Sequence, residues 1–128
     1  MPAAGHNVLV VEDDSTLRNA MGELLGAQGI SATGAENGQV GLDLLRAGAR
    51  PCLVLLDLQM PLVDGLTFRR RQLEDARIAE IPVVVMTGQP GKAQEAERLG
   101  VVLTMRKPIA PSRVLRVVEQ YCAHAKAS

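Results

Sequence analysis

The sequence predicts an α/β fold: one five-stranded sheet with helices on both faces. Two observations carry this. Four short runs, "NVLVV" (7–11), "LVLLDL" (53–58), "PVVVMT" (82–87) and "VVLTM" (101–105), are β-branched or Leu-rich with little alternation. That is the pattern of strands buried on both faces of a parallel sheet. The segments between them carry apolar residues at helical spacing, so strands and helices alternate as βαβ units. Right-handed crossovers then distribute the helices over both faces.

The elements follow in order. After the first strand, "DSTLRNAMGELLGAQG" puts Leu17, Met21, Leu24 and Leu25 on one helical face, with Asp14 or Ser15 as N-cap and Gly29 near the stop. A weaker strand, "ISATGA" (30–35), is small and half polar, which suits a sheet edge. The second helix, "NGQVGLDLLRAG", turns Val40, Leu42, Leu44 and Leu45 inward and ends at Gly48. The third opens at Asp64-Gly65 and carries Leu66, Phe68 and Leu73, and the fourth, "KAQEAERLG", is short and polar. The fifth, "APSRVLRVVEQYCAHA", offers Val114, Leu115, Val117, Val118, Tyr121 and Cys122. No linker, repeat or low-complexity segment interrupts them, so the expectation is a single domain over residues 1–128 with its core at about 7–124.

Composition narrows the function classes. With one Phe, one Tyr and no Trp, the core has to be aliphatic. Fourteen basic residues balance fourteen acidic ones, which gives no general argument for a nucleic-acid or anionic-membrane partner. The longest apolar runs fall far short of the ~20 residues that span a bilayer. "FRRRQ" (68–72) groups Arg69, Arg70 and Arg71, read as a solvated helix face. "MPAAGHN" runs straight into the first strand with no signal peptide, so Cys52 and Cys122 are expected to be unpaired, buried thiols in a reducing cytoplasm. His6 and His124 lack any partner at ligand spacing and read as surface residues.

The informative polar residues fall at the carboxyl ends of strands, where such folds build their sites. Glu12, Asp13 and Asp14 follow the first strand, Asp57 closes the third, Thr87 closes the fourth, and Lys107 comes just after the fifth. Two carboxylates ~4 Å apart repel by about 4 kcal/mol at an effective dielectric of ~20, so bringing Glu12 or Asp13 close to Asp57 requires a cation. Hard oxygen ligands suit Mg²⁺, and no Cys/His set for zinc exists. A divalent ion, a lysine and a hydroxyl around one carboxylate meet the needs of a phosphoryl group approaching an oxygen nucleophile.

The pieces "VLVVEDD", "LLDLQMPLVDG", "IPVVVMTG" and "RKP", in this order and at suitable intervals, closely resemble the receiver domain of two-component response regulators over nearly the whole chain. The resemblance implies a doubly wound sheet of order 2-1-3-4-5. It implies that Asp57 accepts a phosphoryl group from a phosphohistidine on a histidine kinase or histidine phosphotransfer protein. Glu12 and Asp13 match the acidic pair, with Asp13 the more direct Mg²⁺ ligand; Asp57 and the backbone carbonyl of Gln59 complete the protein's ligands. Asp14 falls one place beyond the pair and is assigned to capping. Thr87 would contact a phosphoryl oxygen, Lys107 would pair with the phosphate, and the Lys107–Pro108 bond would be cis. Gln59 and Gln89 occupy the positions that tune phosphoryl loss.

Three departures from the family pattern bear on output. Thr104 stands where the switch aromatic is usual, Ile109 replaces a common Phe, and the stretch from Thr87 to Lys107 is slightly short. The first reading is therefore a phosphoacceptor receiver whose switch toward a downstream protein is atypical. It has no direct nucleic-acid or membrane partner and no activity beyond self-catalysed phosphoryl transfer and loss. The second is a receiver-like docking module that is never phosphorylated. An aspartate-nucleophile phosphohydrolase ranks lower, because Gln59 stands where a second acid belongs. A flavodoxin-like cofactor binder ranks last, because "EDDST" would repel a phosphate in the absence of metal. The chain reads as a stand-alone receiver or one excised from a longer protein.

Overall fold

In a computed structural model, residues 7–60 and 62–127 are described, with side chains to Cys122. The strands are β1 (Asn7–Val11), β2 (Ser31–Ala35), β3 (Leu53–Asp57), β4 (Val83–Thr87) and β5 (Leu103–Arg106). The helices are α1 (Ser15–Gly26), α2 (Gly38–Arg46), α3 (Gly65–Leu73), α4 (Pro90–Arg98) and α5 (Pro111–Ala127). They alternate along the chain, and the strands form one parallel sheet of order β2-β1-β3-β4-β5. β2 lies at an edge, as its small, half-polar sequence implied.

Strand alternation divides the core in two. Val8, Val10, Leu53, Leu55, Val84, Met86 and Met105 join Met21 and Leu25 of α1 and Val114, Val117 and Val118 of α5. Leu9, Val11, Val54, Leu56, Val83 and Val85 face the other way, against Leu42 and Leu45 of α2, Leu66 and Phe68 of α3 and Ala96 of α4. The central strands β3 and β4 are buried along their whole length, so they carry no polar alternation.

Four local readings are corrected. The fourth helix begins at Pro90, two residues before the expected Lys92, because proline fits the first turn, where a backbone N–H has no intrahelical acceptor to lose. β5 covers 103–106 instead of 101–105. In α3 Arg69 and Gln72 are buried alongside Leu66 and Phe68, while Leu73 is exposed. The α3 groove meets the carbonyls that end α4, which demand donors: Arg69 Nε donates to Leu99 O at 2.9 Å and Nη2 to Gly100 O at 3.1 Å. Arg69 Nη1 also reaches Gln72 Oε1 at 2.8 Å, and Gln72 Nε2 donates onward to the carbonyls of Ile78 and Ile81. Arg70 and Arg71 are solvated, as expected of all three arginines.

The fourth correction concerns the cysteines. Both are buried, but they form a disulfide, Cys52–Cys122, closing a span of 70 residues. Cys52 leads into β3 and Cys122 lies on the inner face of α5, so the packing of α5 on the sheet brings them together. The argument for a reducing compartment from unpaired thiols therefore falls away. His6 and the side chain of His124 lie outside the described residues. Among the described residues no helix is long and apolar enough to cross a membrane.

Candidate functional site at the carboxyl ends of β1, β3 and β5

β1 ends at Val11, and the next residue, Glu12, is still pinned to the sheet by its N–H on Ala35 O at 2.9 Å. This holds the Glu12 side chain inside, 1% exposed, while Asp13 turns outward. Asp14 caps α1, its carboxylate accepting the N–H groups of Thr16 and Leu17. The assignment of Asp14 to capping therefore holds. Arg18, one turn into α1, donates to Glu12 O at 2.7 Å. The sequence reading had not singled it out, although a basic residue four places beyond an N-cap sits beside the loop that enters the helix.

Asp57 is 2% exposed at the last position of β3. Its Oδ1 accepts the Gln59 N–H at 3.2 Å, which bends the chain away from the strand. Gly65 makes the close return possible: a Cβ there would lie 2.6 Å from Asp57 O and 2.7 Å from Leu58 Cα. Carboxylate oxygens of Glu12, Asp13 and Asp57 all come within 4.8 Å of one another.

Lys107 lies between the two buried acids. Its Nζ is 3.3 Å from Glu12 Oε1 and 3.3 Å from Asp57 Oδ1. The Lys107 N–H bonds to Thr87 O at 3.0 Å, tying it to the end of β4, and the Lys107–Pro108 peptide is cis. The sequence placed Lys107 around Asp57 to pair with a phosphate; the structure sets its ammonium equally against Glu12 and Asp57. Thr87, 2% exposed, accepts the Gln89 N–H on Oγ1 at 3.0 Å, leaving its hydroxyl proton free to donate elsewhere.

These contacts set the protonation. Burial pushes the Glu12 carboxyl up to about 7; the nearby Asp57 charge adds to this, while the Asp14 N–H and Lys107 oppose it. Burial works to lower Lys107, but the Asp57 and Glu12 carboxylates outweigh it and hold the ammonium above its ordinary value. A single cation between two buried acids leaves the cluster short of positive charge. The donors are hard oxygens with an exposed member in Asp13, a set that fits Mg²⁺.

Thr104 stands apart from this cluster. Its hydroxyl donates to Glu97 Oε2 of α4 at 3.3 Å, and with Thr87, Pro90, Ala93 and Arg106 it lines a groove of about 300 Å³ between α4 and β5. Thr87 and Thr104 thus line the same groove. Ala96 is the one buried residue of α4, and Gln89 caps it without a side-chain hydrogen bond.

The family model for the response regulator receiver domain matches residues 8–119. The polar-differentiation response regulator DivK of Brucella anthropi is 32% identical over 122 residues, 93% of this chain and 98% of that protein. The transcriptional regulatory protein FixJ of Bradyrhizobium diazoefficiens is 30% identical over 128 residues, 98% of this chain and 60% of that longer one. Among solved structures, a response regulator receiver protein from Pseudomonas putida superposes with a TM-score of 0.83 at 30% identity, covering 89% of this chain and 95% of that one.

Proposed function

The chain belongs to the response regulator receiver domain family of two-component signalling, and we propose that Asp57 is its phosphoacceptor, loaded from a phosphohistidine on a histidine kinase or histidine phosphotransfer protein. The observation that carries this reading is the pairing of a buried strand-end carboxylate with Lys107 at 3.3 Å, beside two further acids. Asp57 Oδ attacks phosphorus, the P–N bond to the donor imidazole breaks, and the imidazole, already protonated on its other ring nitrogen, leaves as the neutral base. The product is an acyl phosphate on Asp57.

Each neighbour has a task. Lys107 releases its contacts with Glu12 and Asp57 to pair with the incoming phosphoryl oxygens. Thr87 directs its free hydroxyl proton at another of them. Glu12, Asp13, Asp57 and the backbone carbonyl of Gln59 would hold Mg²⁺, which when bound supplies charge neutralisation at the oxygens of the transferring group. Gln59 and Gln89, two positions after Asp57 and Thr87, would tune how fast that group is lost. The domain spans about residues 7–124, with no substrate of its own beyond this phosphoryl group.

The output is the less ordinary part. Occupation of Thr87 by a phosphoryl oxygen would alter the α4–β5 groove, where Thr104 and Glu97 form the movable contact in place of an aromatic ring. That contact also keeps alive a second reading, a docking module that is never phosphorylated. Incubation with acetyl phosphate and Mg²⁺ separates the two. The proposal expects one phosphoryl group per chain, lost on chelation of Mg²⁺ and absent from Asp57→Asn. An unlabelled wild-type chain that folds normally would establish the docking reading.

A further inference from the structure

Arg18 sits close to three acids in sequence, Glu12, Asp13 and Asp14, yet among the described residues it forms no ion pair. Its guanidinium meets main-chain oxygens instead: Nη1 donates to Glu12 O at 2.7 Å and reaches Asp13 O at 3.5 Å. The side chain gets there by crossing the edge of the sheet. Its stem lies on Gly34 of β2, where a Cβ would come within 2.9 Å of Arg18 Cδ and 3.1 Å of Cγ. Beside it, Asn19 and Gly22 of α1 and Thr33 of β2 leave an open groove of about 430 Å³. Ordering so long a side chain along an open groove costs entropy, which the contacts with Gly34 and Glu12 O offset.

Glu12 is thereby gripped on both sides of its backbone. Its N–H bonds to Ala35 O at 2.9 Å, and its carbonyl accepts Arg18. A peptide unit is planar, so fixing that oxygen fixes the plane from which the chain enters Asp13. The Glu12 carboxylate has further holds, the Asp14 N–H at 3.2 Å and Lys107 at 3.3 Å. The exposed Asp13 carboxylate has none: among the described residues it accepts no hydrogen bond, so its direction rests on the backbone that Arg18 holds.

We propose that Arg18 is a positioning residue for the metal site: by holding the Glu12–Asp13 peptide it aims the Asp13 carboxylate at a cation shared with Glu12 and Asp57. This rests on the acid cluster holding Mg²⁺ for a phosphoacceptor Asp57. Gly34 belongs to the same device, because a side chain there displaces the arm. Charge alone predicts the opposite effect: a guanidinium near the cluster repels Mg²⁺, so its removal would strengthen binding. Loss of the aim weakens binding instead, by about tenfold for a group that orients a ligand.

The test compares wild type with Arg18→Met, which keeps the stem over Gly34 and loses the donors, and with Gly34→Ala, which keeps the donors and moves the stem. Mg²⁺ binding is followed without phosphodonor through the Gln59 amide in NMR titrations. Hydrogen exchange of the Glu12 amide is measured without metal, and labelling with acetyl phosphate across a range of Mg²⁺ concentrations. Arg18→Met should bind Mg²⁺ about tenfold more weakly and exchange the Glu12 amide faster. Its half-saturating Mg²⁺ for labelling should rise by the same factor, with the rate at saturating Mg²⁺ within twofold of wild type. Gly34→Ala should shift all three in the same direction, and the double variant should bind no more weakly than Arg18→Met alone. Unchanged or tighter Mg²⁺ binding by Arg18→Met overturns the positioning role and leaves the phosphoacceptor reading intact. A labelling rate that falls at saturating Mg²⁺ with Mg²⁺ affinity unchanged overturns it too, because Arg18 would then act on the donor. A wild type that neither binds Mg²⁺ nor labels overturns the phosphoacceptor reading and the positioning role with it.

Discussion

Three adjacent arginines offer a controlled test of how α3 holds α4. Replacing Arg69 with Leu removes three hydrogen bonds from a guanidinium that is 7% exposed. Charge-assisted bonds of this kind contribute roughly 1.5–3 kcal/mol each. Relief from burying the charge, several kcal/mol, offsets much of that sum. The acceptors differ in what they lose: Gly100 is exposed and its carbonyl regains water, whereas Gln72 is fully buried and its Oε1 is left unpaired. The net expectation is a loss of about 3 kcal/mol. With an unfolding entropy of about 2.1 cal/mol/K per residue, that lowers the melting temperature by about 10 °C. Arg70→Leu, on the solvated neighbour, should cost less than about 0.5 kcal/mol. Urea unfolding and calorimetry of both variants read this directly. Equal, small effects at the two positions would refute the claim that Arg69 fastens the carboxyl end of α4.

Other outcomes follow from the same structure. Reducing Cys52–Cys122, or replacing both residues with Ser, opens a loop of 70 residues and should cost roughly 4 kcal/mol, about 15 °C in melting temperature; identical melting with and without reductant would count against the bond. Gly65→Ala places a Cβ 2.6 Å from a backbone oxygen that cannot yield. It should cost about 2–3 kcal/mol and slow acetyl phosphate labelling by displacing Asp57, and normal labelling at normal stability would sink that account. For Glu12, a carboxyl raised to about 7 when folded favours the folded state below its ordinary value of 4.5, and that stability is lost as pH rises through about 7. Without divalent ions, wild type should lose up to about 3 kcal/mol relative to Glu12→Gln across that window; parallel urea-unfolding profiles for the two proteins would contradict it.

What the sequence revealed depended on what kind of force placed each residue. The strand β1 and the fully buried β3 and β4 were legible within a residue or so, because unbroken apolar runs have few other uses. The acids and Thr87 were legible as a convergence, since strand ends in a parallel sheet share one rim. Contacts set by packing between distant segments were not. Arg69 looked like its neighbours because nothing local records that the carbonyls of Leu99 and Gly100 lie opposite it. The cysteines looked unrelated because their pairing depends on where α5 crosses β3. The contact of Lys107 with Glu12 became visible only with β1 beside β3.

The central claim is that Asp57, among the acids gathered at this rim, receives the phosphoryl group. Acetyl phosphate labelling with Mg²⁺, followed by borohydride reduction and peptide mass spectrometry, assigns the modified residue, because an acyl phosphate is reduced to the corresponding alcohol. The account predicts conversion of Asp57 alone. Conversion of Glu12 or Asp13, or of no carboxylate at all, would contradict it.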